Sequence, residues 1–261
     1  MIFTTIKHKI LKIAVLSCCI LNIGCNNDII PSDPTGIKGE LVLKLKAGDV
    51  KTEIITRSTL DIDINSFKIN LSENDGTPLF VNKLYGELNE TDCTLPAASG
   101  YQIAVESCSQ SESVSFNEGY GAPRFIGEAT FDIIRSQRTQ VDIVCTMVNA
   151  GLQISFDQTF LNKFPIHAIT TQDTRSLIFK DSTSDNIAYY NLGQSEGSLS
   201  LRLTGTAGGW SDRIDLTKEI TLTSGKITKL LITFNENDKA NINICSDCCT
   251  FKDFKTEVII W

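Results

Sequence analysis

The segment GELVLKLKAG, residues 39–48, sets Leu41, Leu43 and Leu45 on one side of an extended chain and Val42, Lys44 and Lys46 on the other. That period of two marks a strand with one face in a core and one in water. The pattern recurs along the chain that follows. NSFKINLSENDGTPLF (65–80) puts Phe67, Ile69 and Leu71 on one face and then turns at Asn74-Asp75-Gly76. TLPAASGYQIAVES (94–107) places Tyr101, Ile103 and Val105 together, with Pro96 and Gly100 as its turn residues. EATFDIIRSQRTQVDIVCTMV (128–148) reads as two strands around a polar turn.

From about Ala150 the pattern restarts in GLQISFDQTFLNKF, FPIHAITTQD, RSLIFKD and SLSLRLTGTAGGW. The stretch from Thr217 to Phe234 reads as a hairpin with Gly225 at its turn, and KANINIC with TEVIIW as a final pair. The one helix the sequence predicts is short, from Asp157 to Lys163. Many short strands separated by turn residues argue an all-β chain of sandwich or barrel type. The restart argues two tandem β-sandwich domains, immunoglobulin- or transthyretin-like, over residues 37–147 and 148–261.

The N-terminus has a different character. Lys7, Lys9 and Lys12 precede a mostly apolar run from Ile13 to Ile23, followed by Gly24-Cys25 and the polar residues NND. The run is about half the ~20 residues a spanning helix needs, and it suits the hydrophobic region of a signal peptide. A small residue before a cysteine at this point is the substrate of a lipoprotein signal peptidase. Residues 1–24 therefore read as a lipoprotein signal peptide, Cys25 as the lipid-modified residue, and 25–36 as a lipidated tether rich in polar residues and proline. Asn22 departs from the aliphatic residue usual three places before the cysteine. Cys18, preceded by Val-Leu-Ser, is a rival that would leave a hydrophobic region of only four residues. Several acyl chains on one cysteine make a durable anchor, since each buried methylene contributes about 0.8 kcal/mol.

Composition narrows the function classes. Loss of residues 1–24 removes three lysines and no acid, which takes the formal charge from -7 to -10. Nucleic acid and anionic lipid both select clustered Lys and Arg, so no nucleic-acid partner is expected. His167 is the one histidine left after processing, and it lies in a strand-like segment with no nucleophile motif beside it. We expect no catalytic residues and no cofactor. Cys93, Cys108, Cys145, Cys245, Cys248 and Cys249 remain besides Cys25, and six thiols allow 15 full pairings. Cys245-x-x-Cys248-Cys249 lacks the second pair of ligands a zinc site uses, so no metal is expected and disulfides are the more natural fate. Cys145 is one candidate partner for that cluster.

GELVLKL, a linker with TRS, DINSFKINL, LPAASGYQIAV, FNEGYGAPRFIGEATFDI, VDIVCTMVNAGLQISF and LTSGKITKLLITF follow one another in that order. The chain thereby resembles a family of Bacteroidetes lipoproteins of unknown function, whose tandem sandwiches are similar to the fimbrillin-type, transthyretin-like subunits of surface adhesins. The most specific pieces are the aromatic and glycine run from Phe116 to Gly127 and the junction from Cys145 to Phe156. The resemblance implies an outer-membrane, lipid-anchored protein at the cell surface, a non-catalytic adhesin-like or fimbria-related module. Its implied partners are the membrane, through Cys25, and other fimbrial or adhesin subunits. The alternative is a glycan-binding lipoprotein of a polysaccharide-uptake system.

Two further residues are candidates for function. Arg57, in VKTEIITRSTLDID, lies in the connection where fimbrillin-like proteins are cut to release their first strand. Trp210, in TGTAGGWSD, lies in a glycine-flanked loop where its ring is able to stack on a sugar. Tyr120 and the Tyr189-Tyr190 pair, also near turns, are candidates for the same role or for rings that cap a core.

Overall fold

The computed structural model describes residues 37–48, 62–208, 213–235 and 239–245. Strand β1 (Lys38–Ala47) buries Leu41, Leu43 and Leu45 and turns Lys44 and Lys46 to solvent, as its alternation requires. It is followed by β2 (Lys68–Ser72), β3 (Pro78–Leu84), β4 (Thr94–Pro96), β5 (Ala98–Glu106), a helical turn α1 (Glu112–Ser115), β6 (Phe125–Ile133) and β7 (Arg138–Met147). One layer runs β3-β2-β5-β6 and the other β7-β1-β4. Antiparallel pairing of β6 with β7 joins the layers at one corner, where Phe125 meets Met147 and Ile126 meets Thr146. Past that corner the layers part around the core. Gly127 marks the point: a Cβ there would stand 2.6 Å from Ile143 Cγ2 and 2.9 Å from Cys145 Sγ.

β1 lies in the middle of its layer, parallel to β7 from Glu40 to Ala47 and antiparallel to β4 from Lys38 to Glu40. The second sandwich repeats this arrangement. Its strands are β8 (Ala150–Phe156), β9 (Ile166–Thr171), β10 (Ile178–Phe179), β11 (Ile187–Tyr190), β12 (Glu196–Thr206), β13 (Arg213–Thr223), β14 (Ile227–Asn235) and β15 (Lys239–Cys245). The layers are β10-β9-β12-β13 and β11-β8-β14-β15, and β8 runs parallel to β14. Between β8 and β9 the expected helix forms as α2 (Gln158–Lys163), with Asp157 Oδ1 accepting from the Phe160 N–H at 2.8 Å. That cap satisfies one of the free donors at the helix start and drops Phe160 and Phe164 into the core. His167 serves this end of the core: Nδ1 meets the Phe164 carbonyl at 2.8 Å and its ring packs on Phe156 and Phe160. No described helix is long and apolar enough to cross a membrane.

Two local expectations are corrected. β13 and β14 flank Gly225 as expected, yet they form no hairpin, because β13 pairs with β12 and β14 with β8 and β15. Alternation places an apolar face but does not say whether two such faces lie side by side or look at each other across a core. Here they look at each other. KANINIC is β15 and pairs with β14; TEVIIW lies outside the described residues. Pro96 and Gly100 do not close a hairpin either, since β4 joins one layer and β5 the other. Gly100 instead occupies a bulge of β5 at φ +80, where its N–H donates to Asp132 Oδ1.

Cys93, Cys108 and Cys145 are free thiols. Cys145 is fully buried in the first core, Cys248 and Cys249 lie outside the described residues, and burial pushes all three thiols up from their ordinary value. Two outcomes follow from this packing. Gly127→Ala forces its methyl into Ile143 and Cys145 and should cost about 1–3 kcal/mol, read as a lower urea midpoint with an unchanged slope. Peptide-resolved iodoacetamide labelling of native protein at neutral pH should leave Cys108 and Cys145 unmodified and modify both once urea is added; fast native labelling at either would contradict the burial.

Candidate functional site at the seam

The two sandwiches meet along a seam in which each supplies part of the other's core. β11 has opposite duties on its two faces: Ala188 and Tyr190 point into the second core, while Tyr189 turns away from it and packs with the first. Tyr189 pairs across β11 and β8 with Gly151, which pairs in turn with Ile227 on β14. A Cβ on Gly151 would lie 2.8 Å from Ile227 Cγ1, so the missing side chain lets Ile227 and Ile187 close over it. In the reverse direction Tyr120, from the connection before β6, enters the second core. It sits edge-on to Phe179 at 5.4 Å and donates its hydroxyl to the Ile178 carbonyl at 2.7 Å. The Tyr189 N–H donates to the Tyr120 carbonyl at 2.7 Å, tying the two exchanged residues together.

The chain reaches this position through glycine. Gly121 has φ +87, and a Cβ there would meet the Ser113 carbonyl at 2.3 Å. Asn149, fully buried, completes the joint: Oδ1 accepts from the Arg124 N–H and Nδ2 donates to the Ala122 carbonyl, each at 2.9 Å. Its own carbonyl accepts from the Gly225 N–H, while Ser224 Oγ donates to the Val148 carbonyl. Both pieces of sequence that carry the family resemblance, 116–127 and 145–156, therefore lie in the seam.

An open cleft of about 710 Å³ runs beside it. Ser109, Gln110 and Ser111, just before α1, form one wall, and Thr174, Arg175 and Asn191 the other, with Tyr190 beneath. Ser113 and Asn191 bond across the gap, and Asn191 Nδ2 also donates to the Gln110 carbonyl at 2.8 Å. The first wall is pinned by an ion pair, Lys68 to Glu112 at 2.9 Å. The Lys68 bond and the Ser109 N–H hold the Glu112 carboxyl down at about 2.

Arg175 is the cation of the cleft. Nη1 donates to the carbonyls of Gly119 at 3.1 Å and Tyr189 at 2.9 Å, and Nε faces Asp173 Oδ2 at 3.5 Å. The guanidinium lies over the Tyr190 ring, 4.1 Å from its centre. Nη2 is buried with no acceptor among the described residues. A buried donor left unpaired costs about 1–3 kcal/mol, more when it carries charge. The Tyr189 and Tyr190 hydroxyls are buried without partners too. Burial pushes the Tyr190 hydroxyl up to about 12, and Thr171 and Arg175 stand near it without reaching hydrogen-bond geometry.

The residues singled out from the sequence fall elsewhere. Cys25, Arg57 and Trp210 lie outside the described residues, Trp210 in the connection between β12 and β13. Tyr120, Tyr189 and Tyr190 are buried, so they cap and join cores rather than offer exposed rings. Among the described residues no three His, Cys, Asp or Glu side chains gather as a metal site would need. Arg175 escaped notice because it belongs to no motif, and Asn149, although inside the 145–156 junction, because nothing in the sequence marks it as buried. The visible signal was two adjacent tyrosines in one strand, which must face opposite ways.

A model of a domain of unknown function, DUF4493, matches residues 38–260. The chain belongs to this family. No curated protein matches it. Among solved structures, this DUF4493 chain is similar to a candidate cell adhesion protein from Bacteroides eggerthii, at 13% identity and TM-score 0.43, over 80% of this chain and 96% of that one. It is also similar to a fimbrial assembly protein from Parabacteroides distasonis, at 11% identity and TM-score 0.42, over 79% and 99%. A third is a candidate polysaccharide binding protein from Bacteroides thetaiotaomicron, at 11% identity and TM-score 0.39, over 79% and 95%. Similarity at this level concerns the path of the chain and assigns no activity.

Asn149→Ala leaves the Arg124 N–H and the Ala122 carbonyl unpaired inside the seam and should destabilise by roughly 2–4 kcal/mol in urea unfolding. Because the Glu112 carboxyl is depressed, the contribution of its pair with Lys68 is complete above the ordinary carboxylate value near 4.5 and fades as pH falls toward 2. Glu112→Gln should therefore flatten the pH dependence of stability within that window and leave it unchanged around neutral pH apart from a constant offset, while at alkaline pH the loss of the raised Lys68 pKa also shows.

Proposed function

We propose that this DUF4493 protein is a non-catalytic, lipid-anchored module of the cell envelope, adhesin-like or fimbria-related, with residues 37–147 and 148–261 as its two domains. The observation that carries the reading is the place of β1. It is the first strand after the tether, it lies between β7 and β4, and it supplies three buried leucines to the core. The connection that follows it contains Arg57. Cleavage after Arg57 would free β1 from the rest of the chain, and its departure would leave a groove with unpaired backbone groups on both sides. A strand from another subunit satisfies those groups by strand addition. Anchoring through Cys25 in the outer membrane, facing outward, brings the uncleaved chain to where other subunits are met; cleavage then leaves the lipid on the segment that carries β1 and frees the body with its open groove.

A glycan-binding role is the second reading, and the polar lining of the cleft, Ser109, Gln110, Ser111, Thr174 and Asn191, favours it.

Metabolic labelling with an alkynyl palmitate should mark the wild-type chain in its native host and leave Cys25→Ser unmarked; label retained by Cys25→Ser would move the anchor to another cysteine such as Cys18, and an unmarked wild-type chain would remove it. Protease shaving of intact cells should degrade the protein, and an untouched chain would place it facing the periplasm. Mass spectrometry of surface-extracted protein should find a new N-terminus at Ser58. A chain always intact across Arg57-Ser58 would exclude strand exchange by this route and leave the anchored module standing.

A further inference from the structure

We infer that the first sandwich is a load-bearing clamp: tension drawn between the tether and the second sandwich is carried in shear by the ladder that joins β1 to β7. The inference rests on the reading of the chain as an anchored module and states what the central place of β1 does there.

The ends of the two strands decide how a pull is shared. The tether enters β1 at Lys38, and β7 ends at Met147 and passes through Val148 and Asn149 into β8. Because β1 and β7 are parallel, with Glu40 beside Arg138 and Ala47 beside Cys145, entry and exit stand at opposite ends of the pair. A pull between them runs along the strands, over roughly 25 Å at about 3.3 Å per residue. The Glu40 N–H donates to the Gln137 carbonyl at one end of the ladder, and the Gly48 N–H to the Cys145 carbonyl at the other. The bonds of a parallel ladder are evenly spaced, so a pull along it strains all of them together. Had the strands been antiparallel, entry and exit would share one end, and the bonds would open one after another.

The entry end is reinforced on its other side. β4 pairs with β1 at Lys38, Gly39 and Glu40, and the Leu41 N–H donates to the Cys93 carbonyl at 2.8 Å. Glu40 and Arg138 add an ion pair at 2.7 Å across the ladder itself. Sliding β1 by one residue would drag the buried Leu41, Leu43 and Leu45 out of the core and turn Lys44 and Lys46 into it. Between a cut at Arg57 and the departure of β1, the ladder and these leucines would be what holds the body to its lipid.

Peeling is a different matter. The Ser136 N–H donates to the Lys38 carbonyl, so the turn before β7 shares the entry end of β1. A pull between those two points loads the bonds singly. A displacing strand enters in that way, so the arrangement resists a steady pull and still permits strand exchange.

The test is a single-molecule pull on the full mature chain in optical tweezers, with one handle at residue 25. A click-reactive side chain carries the second handle, either at the exposed Thr146 by the exit end or at the exposed Arg135 by the entry end. At equal loading rate the rupture force through 146 should be at least about threefold that through 135. By the two-residue alternation that starts at Glu40, the Lys44 N–H lies in the ladder and its side chain in solvent. Lys44→Pro removes that donor and should lower the force through 146 while leaving the force through 135 unchanged. Equal forces in the two directions overturn the inference, and this comparison needs only the wild-type ladder, so it decides even where Lys44→Pro does not fold. A force through 146 untouched by Lys44→Pro overturns the assignment to this ladder. Neither result bears on the anchor, which palmitate labelling decides, so the two readings fail separately.

Discussion

The hydrogen bond from the Tyr189 N–H to the Tyr120 carbonyl holds together what would otherwise be two separate cores. Each tyrosine belongs by sequence to one sandwich and by packing to the other. Burying two large rings across a boundary removes several hundred square ångströms of mostly apolar surface from water, and aromatic rings contribute most per residue to such contacts. Gly121 and Gly151 give the rings room, and Asn149 pairs the backbone groups the crossing would leave unsatisfied. The cleft, its placed arginine and the wall built on α1 all follow from this one exchange. A joint made this way resists bending, because separating the sandwiches exposes both rings at once.

Much of the fold was legible in the sequence. Strand faces were read correctly wherever alternation was clean, as at Leu41-Leu43-Leu45 and Phe67-Ile69-Leu71, because burial on one side of a pleat leaves a period of two. The helix at 158–163 announced itself through Asp157 and two phenylalanines four apart. Pairing was less legible. β13 and β14 look like two arms of a hairpin, and Gly225 does turn the chain, but the partners are chosen by strands many residues away. The same limit misplaced Pro96 and Gly100. A sequence records which face of a strand is apolar; it does not record which neighbour covers the edge.

The candidate site was less legible still. Arg175 has no motif, and its role comes from the carbonyls of Gly119 and Tyr189, one from each sandwich. The tyrosines read as candidate stacking rings turned out to be the joint itself. That outcome has a physical logic, since an aromatic residue beside a turn stands at the end of a sandwich, and the end of one sandwich is where the next begins. Asn149 shows the opposite case: a polar residue with almost no exposure marks a place where backbone needs partners that regular pairing does not supply.

The parallel pairing of first strand with late strand has a consequence for the order in which the chain takes shape. Glu40 meets Arg138, 98 residues away, and Ser155 meets Leu230, 75 residues away. Neither sandwich closes until its distant strand has been delivered, and contacts of such long range form slowly. Under the export proposed above, a chain threaded through a membrane from its N-terminus would emerge with β1 waiting, its three leucines uncovered, until more than ninety further residues had followed. Late closure would keep the polypeptide extended for such a passage, and for that interval it leaves the central gap of each sheet open to whichever strand arrives first.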